Sequence, residues 1–226
     1  MVAMEPVVTI DGPSGAGKSS VARAVAIRGS WRYLDTGSLY RAITFGLLCA
    51  GLEAVEQDRA EWICHQQEDV QVAAGLSPES PDIYCNGTEV GIEIRSDLVT
   101  RYVSEVSALP CIRARLLTLQ REVIQGGGIV VEGRDIGSVV WPAAEVKIYL
   151  TADLQARAAR RHAEGASIAG VAHVEAALAA RDRIDSTRDV SPLQMAPGAL
   201  FIDATDLTLE EVVDRIWIEI EGVRAT

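Results

Sequence analysis

The stretch from Val7 to Ala26 restricts the fold of this chain more than any other. An apolar run, Val7-Val8-Thr9-Ile10, leads into Asp11-Gly12-Pro13-Ser14-Gly15-Ala16-Gly17-Lys18-Ser19-Ser20, and a helical pattern, Val21-Ala22-Arg23-Ala24-Val25-Ala26, leads out. Gly12, Gly17, Lys18 and Ser19 stand at the fixed places of G-x-x-x-x-G-K-S. Glycines let such a loop fold tightly and turn successive N–H groups inward as an anion-binding nest. A helix beginning near Lys18 points its positive end at the same spot. Lys18 can reach the β- and γ-phosphates of a nucleotide, and the Ser19 hydroxyl can hold Mg²⁺. Residues Gly12, Pro13, Ser14, Gly15, Ala16, Gly17, Lys18, Ser19 and Ser20 are therefore expected to bind a nucleoside triphosphate. The alternative is a glycine-rich turn that binds nothing. The complete order of strand, loop, Lys-Ser and helix disfavours it.

With 226 residues the chain can bury one sizeable α/β core with small insertions. Its beginning, Met-Val-Ala-Met-Glu-Pro, lacks the basic-then-apolar layout of a signal peptide. The longest nearly apolar stretch, Ala42 to Leu52, is shorter than the roughly 20 residues that span a bilayer. Cys49, Cys64, Cys85 and Cys111 form no C-x-x-C pair, so no zinc or redox motif is indicated, and they are expected to be reduced thiols packed in the core. A cytoplasmic location and a monomer are the expectations. The net charge of −11 argues against a nucleic-acid polymer or an acidic membrane as partner. Only Lys18 and Lys147 are lysines, so 19 of the 21 basic residues are arginines. Codon bias accounts for part of that excess. The positions of certain arginines call for more.

Along the chain, strands alternate with helices, which predicts a parallel sheet covered on both faces. Asp35-Thr36-Gly37 reads as a turn into a second helix, with Tyr40 and Arg41 in its first turns; an arginine there opposes the helix dipole and makes sense with an anion in front of it. Asn86-Gly87, between Asp82-Ile83-Tyr84-Cys85 and Thr88-Glu89-Val90, signals a type I′ hairpin within a small β-rich insertion. Two helices, about 96–107 and 110–125, carry Ser104 and Arg113. After Gly126-Gly127-Gly128, the strand Ile129-Val130-Val131 delivers Glu132-Gly133-Arg134-Asp135 at its carboxyl end, where ligands of open α/β sheets bind. A helix over 153–164 carries Arg157, Arg160 and Arg161. A loose segment, 165–170, joins it to a helix in which Arg181, Asp185 and Arg188 recur at i, i+4 and i+7. Thr208 with Glu211 forms a capping box for the last helix. The two arginine clusters around a loose segment suggest a lid that folds guanidinium groups over phosphates. Phosphoryl transfer is served by positioning and charge neutralisation of that kind.

These motifs together resemble those of bacterial cytidylate kinases, within the nucleoside monophosphate kinase family. The residues carrying the resemblance are Thr9 to Lys18, Leu34-Asp35-Thr36-Gly37 with Tyr40-Arg41, Glu132-Gly133-Arg134-Asp135-Ile136-Gly137, and Arg181-Asp182 with Asp185 and Arg188. The resemblance implies an α/β P-loop NTPase core with a five-stranded parallel sheet flanked by helices, a small β-rich insertion that binds the monophosphate, and a short helical lid. In numbers, the core would take 1–65, 96–152 and 189–226, the insertion about 66–95 and the lid about 153–188. The implied reaction moves the γ-phosphoryl of ATP to CMP or dCMP, with Mg²⁺. By motif match, Arg41, Arg134 and Arg188 would meet the CMP phosphate, with Thr36 among the acceptor contacts. Arg181 and Asp185 would lie near the ribose, and Ser104, Arg113 and Asp135 at the base. Arg157 and Arg161 would be lid arginines that approach the phosphates when both nucleotides are bound. The catalytic set is then Lys18, Arg134, Arg157, Arg161 and Arg188.

Other readings compete. A kinase for another small acceptor such as UMP is the nearest. A GTPase switch needs an Asn-Lys-x-Asp guanine reader, and the one lysine outside the loop, Lys147, follows Val146 inside a strand pattern. An assembly or motor module could use Glu132 after its apolar strand, but that leaves Arg134-Asp135 unexplained.

Overall fold

The computed structural model describes residues 5–163, 170–188 and 190–225. In chain order the elements are β1 (Val7–Asp11), α1 (Lys18–Gly29), β2 (Arg32–Asp35), α2 (Thr36–Cys49), α3 (Arg59–Gln66), β3 (Val72–Ala74), β4 (Ile83–Cys85), β5 (Thr88–Glu89), α4 (Asp97–Ala108), α5 (Pro110–Ile124), β6 (Ile129–Gly133), β7 (Val146–Thr151), α6 (Leu154–Ala163), α7 (Val171–Thr187), β8 (Leu200–Asp203) and α8 (Leu209–Arg224). Two compact units form, one from the residues up to Tyr33 together with those from Gly126 on, the other from Leu34–Gln125.

The larger sheet has the order β2-β6-β1-β7-β8. β1 runs parallel to β6 on one side, with Asp11 opposite Gly133, and parallel to β7 on the other, with Asp11 opposite Tyr149. Every residue of β1 and β6 is buried, as expected of short apolar runs covered on both faces. In the first unit Val8, Ile10, Val25, Val130, Ile148, Ile216 and Trp217 share one core. α8 opens with the anticipated capping box of Thr208 and Glu211. The parallel register brings the ends of β1 and β6 level, so Asp11 and the Glu132–Arg134 run emerge side by side.

In the second unit α2 buries Leu39, Ala42, Ile43 and Leu47, and the Asp35 carboxylate caps its start by accepting from the Ser38 amide. The hairpin is present: β3, β4 and β5 pair antiparallel, and Asn86 and Gly87 turn the chain with φ of 51° and 76°. This unit is wider than the expected 66–95 insertion. It contains α2 to α5, including α3 where the sequence pattern marked no element. The expectation of four reduced thiols is corrected here. Cys64 on α3 and Cys111 on α5 are joined as a disulfide, with Cα atoms 5.7 Å apart; Cys49 is exposed and Cys85 buried. The two partners are separated by 47 positions, and spacing alone carries no sign of the pairing.

Candidate active site

The phosphate loop is shaped by backbone that side chains resist. Gly12 has a φ of 152°, and a Cβ there would stand 1.9 Å from the Leu150 carbonyl oxygen. Gly17 sits in the left-handed region as the N-cap of α1, so Lys18, Ser19 and Ser20 form the first helical turn. Ser19 and Ser20 are exposed and Ala16 is buried. Lys18 is buried and donates from Nζ to the Pro13 carbonyl at 2.7 Å, arching over its own loop. Burial first, and Arg134 next, pull its pKa down to about 7. An arriving polyanion would oppose both effects, because its negative charge favours the ammonium.

The loop is braced by α6 and α7. Arg157 donates to the Ser14 carbonyl at 2.8 Å, to the Ala152 carbonyl at 3.0 Å and to Asp182 at 2.5 Å. Asp182 accepts from the Ser14 amide at 3.1 Å. Arg157 is thus tied to the phosphate loop at Ser14, directly and through Asp182. Arg160 turns elsewhere, donating to the carbonyls of Ala204 and Thr205. Arg161 is half-buried on α6. Of the segment expected to be loose, 165–169 lies outside the described residues. The lid expectation here rests on α6 and α7, which pack through Ala158, Val174 and Leu178.

A second group of charges stands where β6 ends. Arg134 donates from Nε to Asp185 at 2.9 Å. Arg188 lies 3.5 Å from Asp135 and 3.9 Å from Asp185, and its Nε donates to the Ser191 carbonyl. Arg181 is half-buried, and its buried Nε has no hydrogen-bond partner among the described residues. Burial and then Arg134 lower its pKa to about 10. Half-buried guanidinium groups crowded in this way favour an anion between them. The structure brings Lys18, Arg134, Asp135, Arg157, Arg181, Asp185 and Arg188 together in the first unit.

Thr36, Arg41, Ser104 and Arg113 belong to the second unit. Thr36 is buried at the start of α2. Arg41, also buried, donates to the Ile94 carbonyl and the Thr100 hydroxyl, both at 3.1 Å. Ser104 is half-buried one turn beyond Thr100 on α4. Arg113 lies over the Tyr40 ring at 5.5 Å and donates to the Ser107 carbonyl. Of two adjacent residues of α2, Tyr40 thereby meets a guanidinium from α5 and Arg41 reaches Ile94 and α4.

Sequence reasoning passed over three groups. Asp11 accepts from the amides of Ile136 and Gly137, each at 2.8 Å. The Tyr33 hydroxyl donates to the buried carboxylate of Glu132. Asp182 ties Arg157 to the loop. The available signal was their adjacency to motif residues, since Asp11 precedes Gly12 and Asp182 follows Arg181.

Among the described residues no three His, Cys, Asp or Glu side chains could hold a metal by themselves. Mg²⁺ is commonly bound by one or two protein groups plus substrate phosphates, and the exposed Ser19 hydroxyl at the loop fits that mode.

The model of the cytidylate kinase family matches residues 8–222. A cytidylate kinase of Mycolicibacterium paratuberculosis (strain ATCC BAA-968 / K-10) is 45% identical over 214 residues, 93% of this chain and 92% of that protein. One from Streptomyces avermitilis is 43% identical over 97% of this chain and 94% of its own length. One from Geobacillus kaustophilus (strain HTA426) is 42% identical over 92% of this chain and 93% of its own. Matched over nearly its whole length, and 42–45% identical to these relatives, the chain belongs to the cytidylate kinase family.

Proposed function

We propose that this enzyme transfers the γ-phosphoryl of ATP to CMP, giving CDP and ADP, and that dCMP is also an acceptor. A phosphate oxygen of CMP attacks the γ-phosphorus, and the bond from that phosphorus to the β-phosphate oxygen breaks. The supporting observation is the Arg134, Arg181, Arg188 cluster with its orphaned Arg181 Nε, in the same unit as a fully formed phosphate loop. Lys18 and the loop amides hold the triphosphate, and Ser19 would hold Mg²⁺, which would supply positive charge at the phosphates. Arg41, Arg134 and Arg188 serve the acceptor phosphate, with Thr36 among the acceptor contacts. Arg181 and Asp185 serve its ribose, and Ser104, Arg113 and Asp135 its base. Arg161, with Arg157, serves the moving phosphoryl group. The enzyme works as a cytoplasmic monomer.

Cytosine offers an amino donor at position 4 and acceptors at its ring nitrogen and carbonyl. A carboxylate accepts from the first and a guanidinium donates to the others. Uracil sets an oxygen against the carboxylate, a buried mismatch of on the order of a few kcal/mol. Asp135→Asn keeps the shape and can donate to that oxygen. Measured by ADP release with each monophosphate, its CMP-to-UMP ratio of kcat/KM should fall by about tenfold or more. A ratio that stays fixed while both values drop removes Asp135 from base choice. ATP hydrolysis without dependence on any acceptor would favour a switch or assembly module instead.

A further inference from the structure

Asp135 begins the wide turn Ile136–Val140, the position where an aspartate ordinarily caps the following amides with its own side chain. Here it does not. Its backbone carbonyl accepts from Val139 at 2.9 Å and Val140 at 3.1 Å, but its carboxylate makes no cap. The two leading amides, Ile136 and Gly137, instead donate to the two carboxylate oxygens of Asp11, 125 and 126 positions away. The contact is buried and closely fitted. A Cβ on Gly137 would stand 2.9 Å from the Thr9 hydroxyl, 3.2 Å from the Ala196 Cβ and 3.4 Å from an Asp11 oxygen. With its amides already satisfied, the Asp135 carboxylate is turned instead toward Arg188 at 3.5 Å.

We infer, on the acceptor reading proposed above, that Asp11 is a positioning residue for acceptor recognition: by capping the turn in place of Asp135, it keeps the Asp135 carboxylate available to the base and to Arg188. Asp11 touches neither nucleotide in this scheme. It acts through Asp135. Burial holds its carboxylate up at about 6 against the lowering effect of the two amides, with Asp135 raising it further and Lys18 opposing. A buried carboxylate so placed gives up hydration in order to hold the turn.

The test is steady-state kinetics on the full-length enzyme with CMP and with UMP. Wild-type enzyme that fails to phosphorylate CMP overturns the acceptor reading itself. Given that activity, Asp11→Asn leaves one oxygen to accept and sets an NH₂ against the other amide. It should raise KM for CMP about tenfold and leave KM for ATP within about twofold. Asp11→Ala frees the Gly137 amide for the Asp135 side chain and should also lower the CMP-to-UMP ratio of kcat/KM. In an Asp135→Asn background that fall in the ratio should vanish, because the route runs through Asp135. KM values for both substrates moving together, or a ratio effect that persists without Asp135, overturns the inference. Should circular dichroism show Asp11→Ala unfolded, Asp11→Asn decides. Gly137→Ala, whose Cβ crowds Thr9 and Ala196 and so shifts the turn against β1, gives an independent check with the same expected split, and an unchanged KM for CMP there counts against the inference.

Discussion

In the first unit Arg134, Arg157 and Arg188 face carboxylates, of Asp185, Asp182 and Asp135 respectively. In the second, Arg41 donates to a carbonyl and a hydroxyl, and Arg113 lies on the Tyr40 ring. The scaffolds differ as well. The first unit sets Asp11 and Arg134 at the ends of strands buried along their whole length, and Lys18, Arg157, Arg181 and Asp185 on the helices α1, α6 and α7. The second has strands of two and three residues and a covalent link between helices. An ion pair positions a guanidinium and offsets its charge, and an incoming phosphate can replace the carboxylate. A carbonyl or a ring also orients a guanidinium. The first arrangement suits a site whose electrostatics change as phosphates arrive and leave. The second unit rests its guanidinium groups on a scaffold of short strands and a covalent link.

If that contrast is right, the most severe loss should come from one charge in the first unit. Lys18→Ala should lower turnover by about 100-fold or more, because a donor to the transferring phosphoryl group is removed where water is excluded. Its melting temperature should hold or rise, since burial already disfavours the charged form of this lysine. Near-normal turnover would remove Lys18 from the chemistry and weaken the division of labour between the units.

The second unit should respond in the opposite sense, losing stability before activity. Cys64→Ser opens a covalent loop between residues separated by 47 positions, and a bridge of that span contributes roughly 2–4 kcal/mol. Urea unfolding of the oxidised wild type against the variant should show that loss. Arg113 is two residues from Cys111, so some rise in KM for CMP should accompany it. Equal stability of the two proteins would mean that packing alone fixes α3 against α5.

The motifs made the first unit largely legible. The loop, the strand before it, the Glu132–Asp135 run and the Arg181–Arg188 spacing are local signals, and local signals specify strand ends and helix faces directly. The second unit was legible where a turn had its own chemistry, as at Asn86-Gly87 and Asp35. It was obscure where structure depends on distant partners. α3 is a short helix of mixed composition held through Cys64, and nothing within Arg59–Gln66 announces it. The same limit hid Asp11 and Tyr33 in the first unit. Both sit in strands where the pattern explains burial, and their partners lie about a hundred positions on. Arg157 shows the converse. Its helix was anticipated, but its hold on Ser14 depends on how α6 meets the loop, which no spacing encodes.

A finer separation of the units comes from pH. The Asp11 pKa is raised from 3.8 to about 6, by burial first, against the two amides, with Asp135 adding and Lys18 opposing. A folded-state pKa above the unfolded one means that the native state binds the proton more tightly. From Asp11 alone, stability therefore falls as pH rises from about 4 to about 6 and levels above that. The span corresponds to at most about 3 kcal/mol. Asp11→Asn cannot titrate, while every other group titrates in both proteins. The difference in unfolding free energy, wild type minus variant, should therefore grow in favour of the wild type as pH is lowered through that window. Denaturant unfolding at pH 4.5 and about 7.5 measures it, followed by the tryptophans Trp31 and Trp217, which lie in the core of the first unit. A flat difference would mean that water reaches the Asp11 carboxylate, and the charge network of the first unit would then be less sealed than its contacts indicate.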